Sequence, residues 1–301
     1  IFHNGEIVSF SVGHIHHTDV GGAVPASLSR SLTEVHQEGI RIPPTKLMVK
    51  GEVNTQILDI LMANVRAPEQ SWGDLKAQIA SCNTGERKVH EMIAKFGIDT
   101  FRSGIEELLG YAEAQAREIV RRIPDGAYHF ADYMDEDAVD GKPARLNLTM
   151  HVKDGSLHFD FTGTDPQLES SLNIPTGGDE RHTLICVGLT YALYSLDPTL
   201  FLNAGIARVL SSTLPKGTMI NPQFPAAVGM RTLSGKRLQA VILGAFARAL
   251  PDIMAGAAAS GGPIMNVNTT DNRTGRRLMA AVNPMSGGAG GRRTEDGADG
   301  S

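Results

Sequence analysis

Residues 146–161 read LNLTMHVKDGSLHFDF, and this stretch decides the fold class. Apolar side chains occupy every second position on both sides of Asp154-Gly155, which is the pattern of two strands that bury one face. An Asp-Gly pair between two such runs is typical of a two-residue hairpin turn. The sequence therefore predicts a β-hairpin with one face in the core.

Helical periodicity flanks this hairpin on both sides. The clearest apolar stripe starts at Phe101, recurs every three or four positions and ends before Pro124-Asp125-Gly126. Further helices are predicted for residues 53–66, 72–96, 181–195 and 233–250, and short strands for residues 7–12, 209–214 and 219–220. Helices and strands alternate irregularly, which predicts a mixed α+β fold with β-hairpins and several amphipathic helices rather than a doubly wound parallel sheet.

The composition excludes several classes of protein. The 301 residues are 41% hydrophobic and 20% charged with a net charge of −5, which is typical of a globular chain with a sizeable core. Lysine and arginine are scattered, so the sequence predicts neither a nucleic-acid partner nor binding to an anionic membrane. Cys82 and Cys186 lie far apart, which argues against a disulfide framework and a cysteine-ligated metal. We expect a cytoplasmic protein.

Both ends suggest an internal fragment of a longer polypeptide. The sequence starts at Ile1, directly before a hairpin turn at His3–Glu6, although such a turn needs a full strand ahead of it. At the other end, the glycine-rich stretch 287–297 stops without a closing element. We therefore expect residues 1–301 to form a single region that is truncated at both ends.

Histidines are concentrated near the start of the chain. Residues 13–22 read GHIHHTDVGG and follow a predicted strand. Imidazole nitrogens and a carboxylate oxygen suit Zn, Mn or Fe, which makes His16, His17 and Asp19 candidate metal ligands. In a strand, His16 faces away from the other two, so the three side chains converge only if the glycine-rich end bends. The alternative is a polar strand end with solvated histidines.

Two further polar features lie elsewhere. Glu38 follows in a turn, where its carboxylate suits a metal ligand or a general base, and the alternative is a solvated turn residue. His36 beside it is a second candidate ligand, and the alternative is a structural histidine. The polar face of the hairpin is predicted to be solvent-facing or an interface rather than a metal site, and it comprises Asn147, Thr149, His151, His158, Asp160 and Thr162. The sequence has no phosphate-binding glycine motif, so ATP chemistry would need a partner chain.

Ordered blocks along nearly the whole chain give it a specific resemblance. The blocks are His16–Gly22 with Pro25, Gln37–Pro44, Asn64–Arg66 with Gly73–Gln78, Asp160–Thr164 with Asn173, Leu202–Gly205, Leu214–Gly217 with Asn221-Pro222, and Gly287–Gly297. In this order they make the sequence similar to the hydantoinase B/5-oxoprolinase family, which also contains the large subunits of acetone and acetophenone carboxylases.

The resemblance implies the metal-carrying B-type component of an ATP-dependent enzyme that opens hydantoin-like or 5-oxoproline-like rings. It implies a divalent metal here, and ATP bound by a hydantoinase A-like, actin-like partner in a hetero-oligomer. His16 is the first ligand candidate, followed by His17 and Asp19, while Asp19 and Glu38 are the predicted catalytic carboxylates. The family's other metal motif, Thr-His-x-x-Asp, normally precedes these residues and would lie before Ile1.

Two other functions remain open on the sequence. The large subunit of an ATP-dependent acetone- or acetophenone-type carboxylase would carry the same blocks. A non-catalytic interaction module would bind no metal and would support no ATP-coupled turnover.

Overall fold

The structure is a computed structural model that describes residues 1–135, 137, 139–256, 265–282 and 287–299. The strands are β1 (Phe2–His3), β2 (Glu6–Ile7), β3 (Met48–Val49), β4 (Glu52–Val53), β5 (Gly126–Met134), β6 (Ala144–Lys153), β7 (Ser156–Asp160), β8 (Leu210–Thr213), β9 (Met265–Thr270) and β10 (Arg277–Val282). The α-helices are α1 (Thr55–Asn64), α2 (Pro68–Phe96), α3 (Ile98–Arg121), α4 (Thr183–Leu196) and α5 (Arg231–Ala249). The mixed α+β class is confirmed.

Contacts divide the chain into two compact units. The first contains residues 1–27, 39–108 and 266–282, and the second contains residues 28–38, 109–265 and 283–301. Within the described residues, no helix is both long and apolar enough to cross a membrane.

The second unit is built on a four-stranded sheet in the order β5-β6-β7-β8. The first three strands are antiparallel, whereas β8 runs parallel to β7. The predicted hairpin is confirmed as β6 and β7. Asp154 and Gly155 both have positive φ, at 50° and 75°, which is the backbone that a tight hairpin turn with an Asp-Gly pair adopts.

The core of the second unit lies on one face of this sheet. Helix α5 packs against β5 and β6, and α4 packs against α5. The strand residues buried there are the alternating apolar ones of the hairpin, namely Leu146, Leu148, Met150, Val152, Leu157, Phe159 and Phe161. Burial of each such side chain contributes about 1.5–3 kcal/mol to folding, so the period-two pattern sets the register of the sheet.

The sequence prediction misses one strand of this unit and places another where none forms. Strand β5 was not predicted, because it lies at the sheet edge and its side chains are mostly exposed or half-buried, which weakens the alternation. The predicted strand at Met219-Ile220 is wrong. Both residues are buried in a turn, where the backbone of Met219 bonds to Asp165 on one side and to Ile174 on the other.

The first unit contains three two-stranded hairpins, helices α1 and α2, and the start of α3. The predicted strand 7–12 is wrong beyond Ile7, because residues 8–18 form no regular secondary structure. Helix α2 begins at Pro68, a residue whose fixed φ and missing N–H suit the first helical turn.

Candidate functional site

The histidine-bearing segment lies along one face of α2. The Cys82 thiol donates to the Ser11 carbonyl at 3.7 Å, and the Gln78 amide donates to the Gly13 carbonyl at 3.4 Å. A Cβ atom on Gly13 would lie 3.5 Å from the Cys82 sulfur, so the backbone runs close to the helix. The segment thus packs against a helix and does not form the strand that its sequence predicts. Alternation along a strand therefore does not determine which of its side chains share a face.

The three histidines of the segment differ in environment. His14 and His16 are exposed, and their rings meet edge to face with centroids 5.2 Å apart. His17 is only 19% exposed and turns Nδ1 towards α2, where Asp74 Oδ2 lies 3.4 Å away. Of the two histidines predicted as ligands, only His17 is thus held beside a carboxylate.

Asp19 is buried, and both of its carboxylate oxygens accept hydrogen bonds. Its Oδ1 accepts from the backbone N–H groups of Gly21 at 3.0 Å and Arg66 at 2.9 Å. Its Oδ2 accepts from the Ala26 N–H at 3.0 Å and from Arg66 Nη1 at 2.9 Å. A carboxylate offers about four lone-pair positions, so the protein itself fills them in this arrangement.

The same guanidinium also holds the turn that follows Asp19. Arg66 donates to the carbonyl oxygens of Gly22 at 2.7 Å and Val24 at 3.0 Å. Gly21 and Gly22 have φ of 84° and 82°, and a Cβ atom on Gly21 would overlap the carbonyl oxygen of Asn64. Glycine is therefore required at position 21 both for its backbone angle and for this close approach.

Electrostatics agree with this geometry. Burial alone would raise the pKa of the Asp19 carboxyl, but the hydrogen bonds from Arg66, Gly21 and Ala26 together outweigh burial and hold that pKa below its usual value. Asp19 is therefore ionised at neutral pH and forms a buried ion pair with Arg66.

The described residues do not by themselves fit a metal. No three histidine, cysteine, aspartate or glutamate side chains among them converge on one point. Asp19 would have to release protein donors to bind an ion, and His16 is exposed to solvent. The ligand roles of His16, His17 and Asp19 stay predictions that need further ligands from outside the described residues.

Glu38 is held by backbone groups of the second unit. Its Oε1 accepts from the N–H groups of Val228 at 2.8 Å and Gly229 at 2.5 Å, just before α5 begins at Arg231. A carboxylate near a helix N-terminus is stabilised by the partial positive charge there. Glu38 thus bonds the segment ahead of α5, and its role as a general base stays a prediction. His36 is exposed and stacks edge to face on Phe224.

The polar face of the hairpin is largely a network of local hydrogen bonds. Both ring nitrogens of His158 lie within hydrogen-bond distance of hydroxyls, at 2.8 Å for Ser211 and 3.0 Å for Thr213. A hydrogen bond from the Thr162 side chain lowers the pKa of Asp160. Asn147 departs from the expected exposure, since it is buried where Thr164 covers it.

A cavity of about 540 Å³ lies in the second unit beside α5. Its lining is mostly apolar and includes Phe130, Leu243 and Met254. Asp132 and Arg237 form an ion pair of 2.7 Å in its wall. An apolar cavity with one polar pair is the usual form of a site for a small organic ligand.

Two residues with a direct role in this geometry are not among the site residues that the sequence predicts. Arg66 and Asp74 lie in blocks that carried the family resemblance, but neither stands near the histidines in the sequence. Arg66 is 47 residues from Asp19, so no local spacing pairs them. Only a comparison of related sequences, or the structure, links such positions.

A sequence model of the family described as Hydantoinase B/oxoprolinase matches residues 1–301. The chain belongs to this family. The resemblance inferred from the ordered blocks is therefore confirmed over the whole sequence.

Individual relatives of this hydantoinase B/oxoprolinase chain agree with that assignment. The B-type subunit of a putative D-/L-hydantoinase from Pseudomonas sp. (strain NS671) is 32% identical over 309 residues, which cover 99% of this chain and 51% of the relative. The crystal structure of the ATP-dependent caprolactamase from Pseudomonas jessenii superposes with a TM-score of 0.82 at 28% identity, covering 93% of this chain and 48% of that one.

A nucleotide-free acetone carboxylase structure shares the fold, with a TM-score of 0.80 at 18% identity, covering 94% of this chain and 39% of that one. The chain thus spans about half the length of the hydantoinase and caprolactamase relatives.

Proposed function

We propose that the chain is part of the B-type component of an ATP-dependent enzyme that hydrolyses cyclic amides. The superposition on the caprolactamase over 93% of the chain, at 28% identity, carries this proposal. The hydantoinase relative, which is named as one subunit of its enzyme, supports the same reaction class and a partner subunit. We further propose that this partner is a hydantoinase A-like ATPase that binds the ATP.

The residues of this chain contribute a rigid frame around the histidines. Asp19 and Arg66 hold the turn after the histidine segment, and the contacts of Ser11 and Gly13 with α2 hold its start. His17 is therefore confined between two anchored points. Fixed positions of this kind favour a group that orients a substrate or transfers a proton, because little reorganisation is then needed during the reaction.

We also propose that the complete enzyme binds a divalent metal. His16 and His17 can supply imidazole nitrogens, as the family resemblance implies, and the remaining ligands would come from outside the described residues.

Both cysteines, Cys82 and Cys186, are free thiols, which supports the proposed cytoplasmic location because a reducing compartment keeps thiols unpaired.

The test uses the full-length protein together with its ATPase partner. ATP hydrolysis is measured with caprolactam, hydantoin, 5-oxoproline and a panel of ketones, each with and without labelled bicarbonate. We expect a cyclic amide to stimulate ATP hydrolysis and to yield a ring-opened acid without bicarbonate. Label entering an acid-stable product from a ketone would assign the carboxylase reaction instead.

Variants connect the activity to the histidine segment. We expect His16→Ala and His17→Ala to lower turnover and bound metal, whereas His90→Ala should change neither. His90 is an exposed histidine on α2 and serves as the matched control. Equal effects of all three substitutions would show that the activity does not depend on the histidine segment.

A further inference from the structure

The residues of α2 that contact the histidine segment form one stripe. Asp74, Gln78 and Cys82 are spaced by four positions and therefore share a face of the helix. Gln78 and Cys82 bond the backbone of the segment, whereas Asp74 meets a side chain, that of His17. Asp74 is therefore the residue of this stripe that contacts a side chain of the segment, whereas Gln78 and Cys82 contact its backbone.

The nitrogen of His17 that faces Asp74 is buried. Nδ1 has no hydrogen-bond partner among the described residues, although the Asp74 carboxylate is 3.4 Å away. A buried polar nitrogen without a hydrogen-bond partner is unfavourable, so a closer approach of these two groups is favoured. A movement of roughly 0.5 Å brings the pair within ordinary hydrogen-bond distance.

We propose that Asp74 is a positioning residue that accepts a hydrogen bond from His17 Nδ1–H and fixes the ring of His17. The nitrogen that bonds the carboxylate then carries the proton, which leaves the lone pair on Nε2. The ring keeps 19% of its side-chain area exposed while Nδ1 is buried, so Nε2 is the nitrogen left for a reacting group.

Anchoring on both sides makes this orientation specific. The backbone of Gly13 is held to α2, and Asp19 is held by Arg66, so His17 cannot leave the carboxylate by a movement of the main chain alone. Rotation of the ring about its own side-chain bonds is the freedom that remains. The carboxylate of Asp74 removes that freedom when the hydrogen bond forms.

Helix α2 offers a matched control. His90 and Glu86 also pair a histidine with a carboxylate, at 4.0 Å, but both side chains are exposed at 43% and 53%. Water competes for such a pair, which therefore fixes no ring orientation. Glu86→Gln removes a carboxylate beside a histidine on the same helix without touching the segment.

The experiment compares Asp74→Asn, Asp74→Glu and Glu86→Gln in the full-length protein with its ATPase partner. For Asp74→Asn we expect kcat to fall by about 10- to 100-fold with KM within about twofold, since residues that orient another group typically have effects of this size. Asp74→Glu retains the acceptor and should recover part of kcat. Glu86→Gln should leave both constants unchanged.

A second readout does not depend on turnover. Diethyl pyrocarbonate modifies the free imidazole nitrogen, and mass spectrometry measures its rate at His17 and His90 separately. Asp74→Asn should slow modification of His17 by about twofold or more, because Nε2 then carries the proton part of the time. The rate at His90 should not change.

The kinetic readout rests on the proposed function, and the labelling does not. If no cyclic amide is hydrolysed by the wild type, the proposed function fails while the labelling still tests Asp74. Unchanged labelling of His17 in Asp74→Asn overturns the positioning role. If Asp74→Asn does not fold, the same labelling in Asp74→Ala, which has no acceptor, decides, and a rate at His17 equal to that of the wild type overturns the positioning role.

Discussion

Arg66 is bound to Asp19 twice, through its backbone N–H at Oδ1 and through its guanidinium at Oδ2, each at 2.9 Å. The carboxylate is completely shielded from solvent, and the arginine side chain is 30% exposed. The pair joins the end of the histidine segment to Arg66, which lies two positions before α2 begins at Pro68. Its removal should therefore disturb the segment and the helix start together.

Arg66→Lys should lower the free energy of unfolding of the full-length protein by about 2–3 kcal/mol. A lysine ammonium keeps the charge but cannot bond Asp19 Oδ2 and the carbonyls of Gly22 and Val24 in the same fork. Urea denaturation measures the change. The control is Arg87→Lys on α2, where Arg87 and its partner Glu91 are both exposed, and it should change stability by less than about 0.5 kcal/mol. Equal losses in the two variants would contradict a special role of Arg66.

Asp19→Asn should change how stability depends on pH. The folded-state pKa of Asp19 is lowered, so its contribution is present above the ordinary value of 3.8 and is lost as pH falls through the folded pKa. We expect the wild type to lose this stability as the pH falls below about 4, while Asp19→Asn is less stable at neutral pH and declines less on acidification. Denaturation at a series of pH values checks the slope, with Asp59→Asn at an exposed position on α1 as the control.

Glu38→Ala should destabilise the second unit more than Glu38→Gln. Alanine leaves the N–H groups of Val228 and Gly229 without their acceptor, at a cost of about 1–3 kcal/mol, whereas the glutamine amide oxygen still accepts one of them. Thermal denaturation of the two variants shows which of them is less stable. A measurement of activity distinguishes the structural role of Glu38 from a role as general base. If Glu38→Gln folds but loses about a hundredfold or more in kcat, Glu38 acts as the general base that the sequence predicts.

The parts of the fold that could be predicted from the sequence are those in which periodicity is local. The β6–β7 hairpin follows from alternation on both sides of Asp154-Gly155, and α3 follows from one apolar stripe. Alternation misled near Ser11, because this residue bonds the surface of helix α2 rather than a strand. There the pattern of side chains carries no information on which element lies beside them.

The candidate site was predictable only in its chemistry. The cluster of imidazole and carboxylate groups identified the segment, but its contacts join residues that are distant in the chain, such as the 190 positions between Glu38 and Val228. Such pairs form because buried polar groups must find partners, and many partners are compatible with one sequence. Both predicted carboxylates, Asp19 and Glu38, turn out to be occupied by backbone donors for this reason.

Glycine substitutions test how tightly α5 packs on the sheet. A Cβ atom on Gly244 would lie 2.5 Å from the ring of Phe130 on β5, so Gly244→Ala requires the helix or the ring to move. We expect a loss of about 1–3 kcal/mol in the free energy of unfolding, as is typical of overpacking. The same change at Gly110 in α3 meets open space and should raise stability by about 0.5–1 kcal/mol, because alanine favours the helix. Opposite signs in thermal denaturation support the packing of α5 on β5, and a stabilising Gly244→Ala would contradict it.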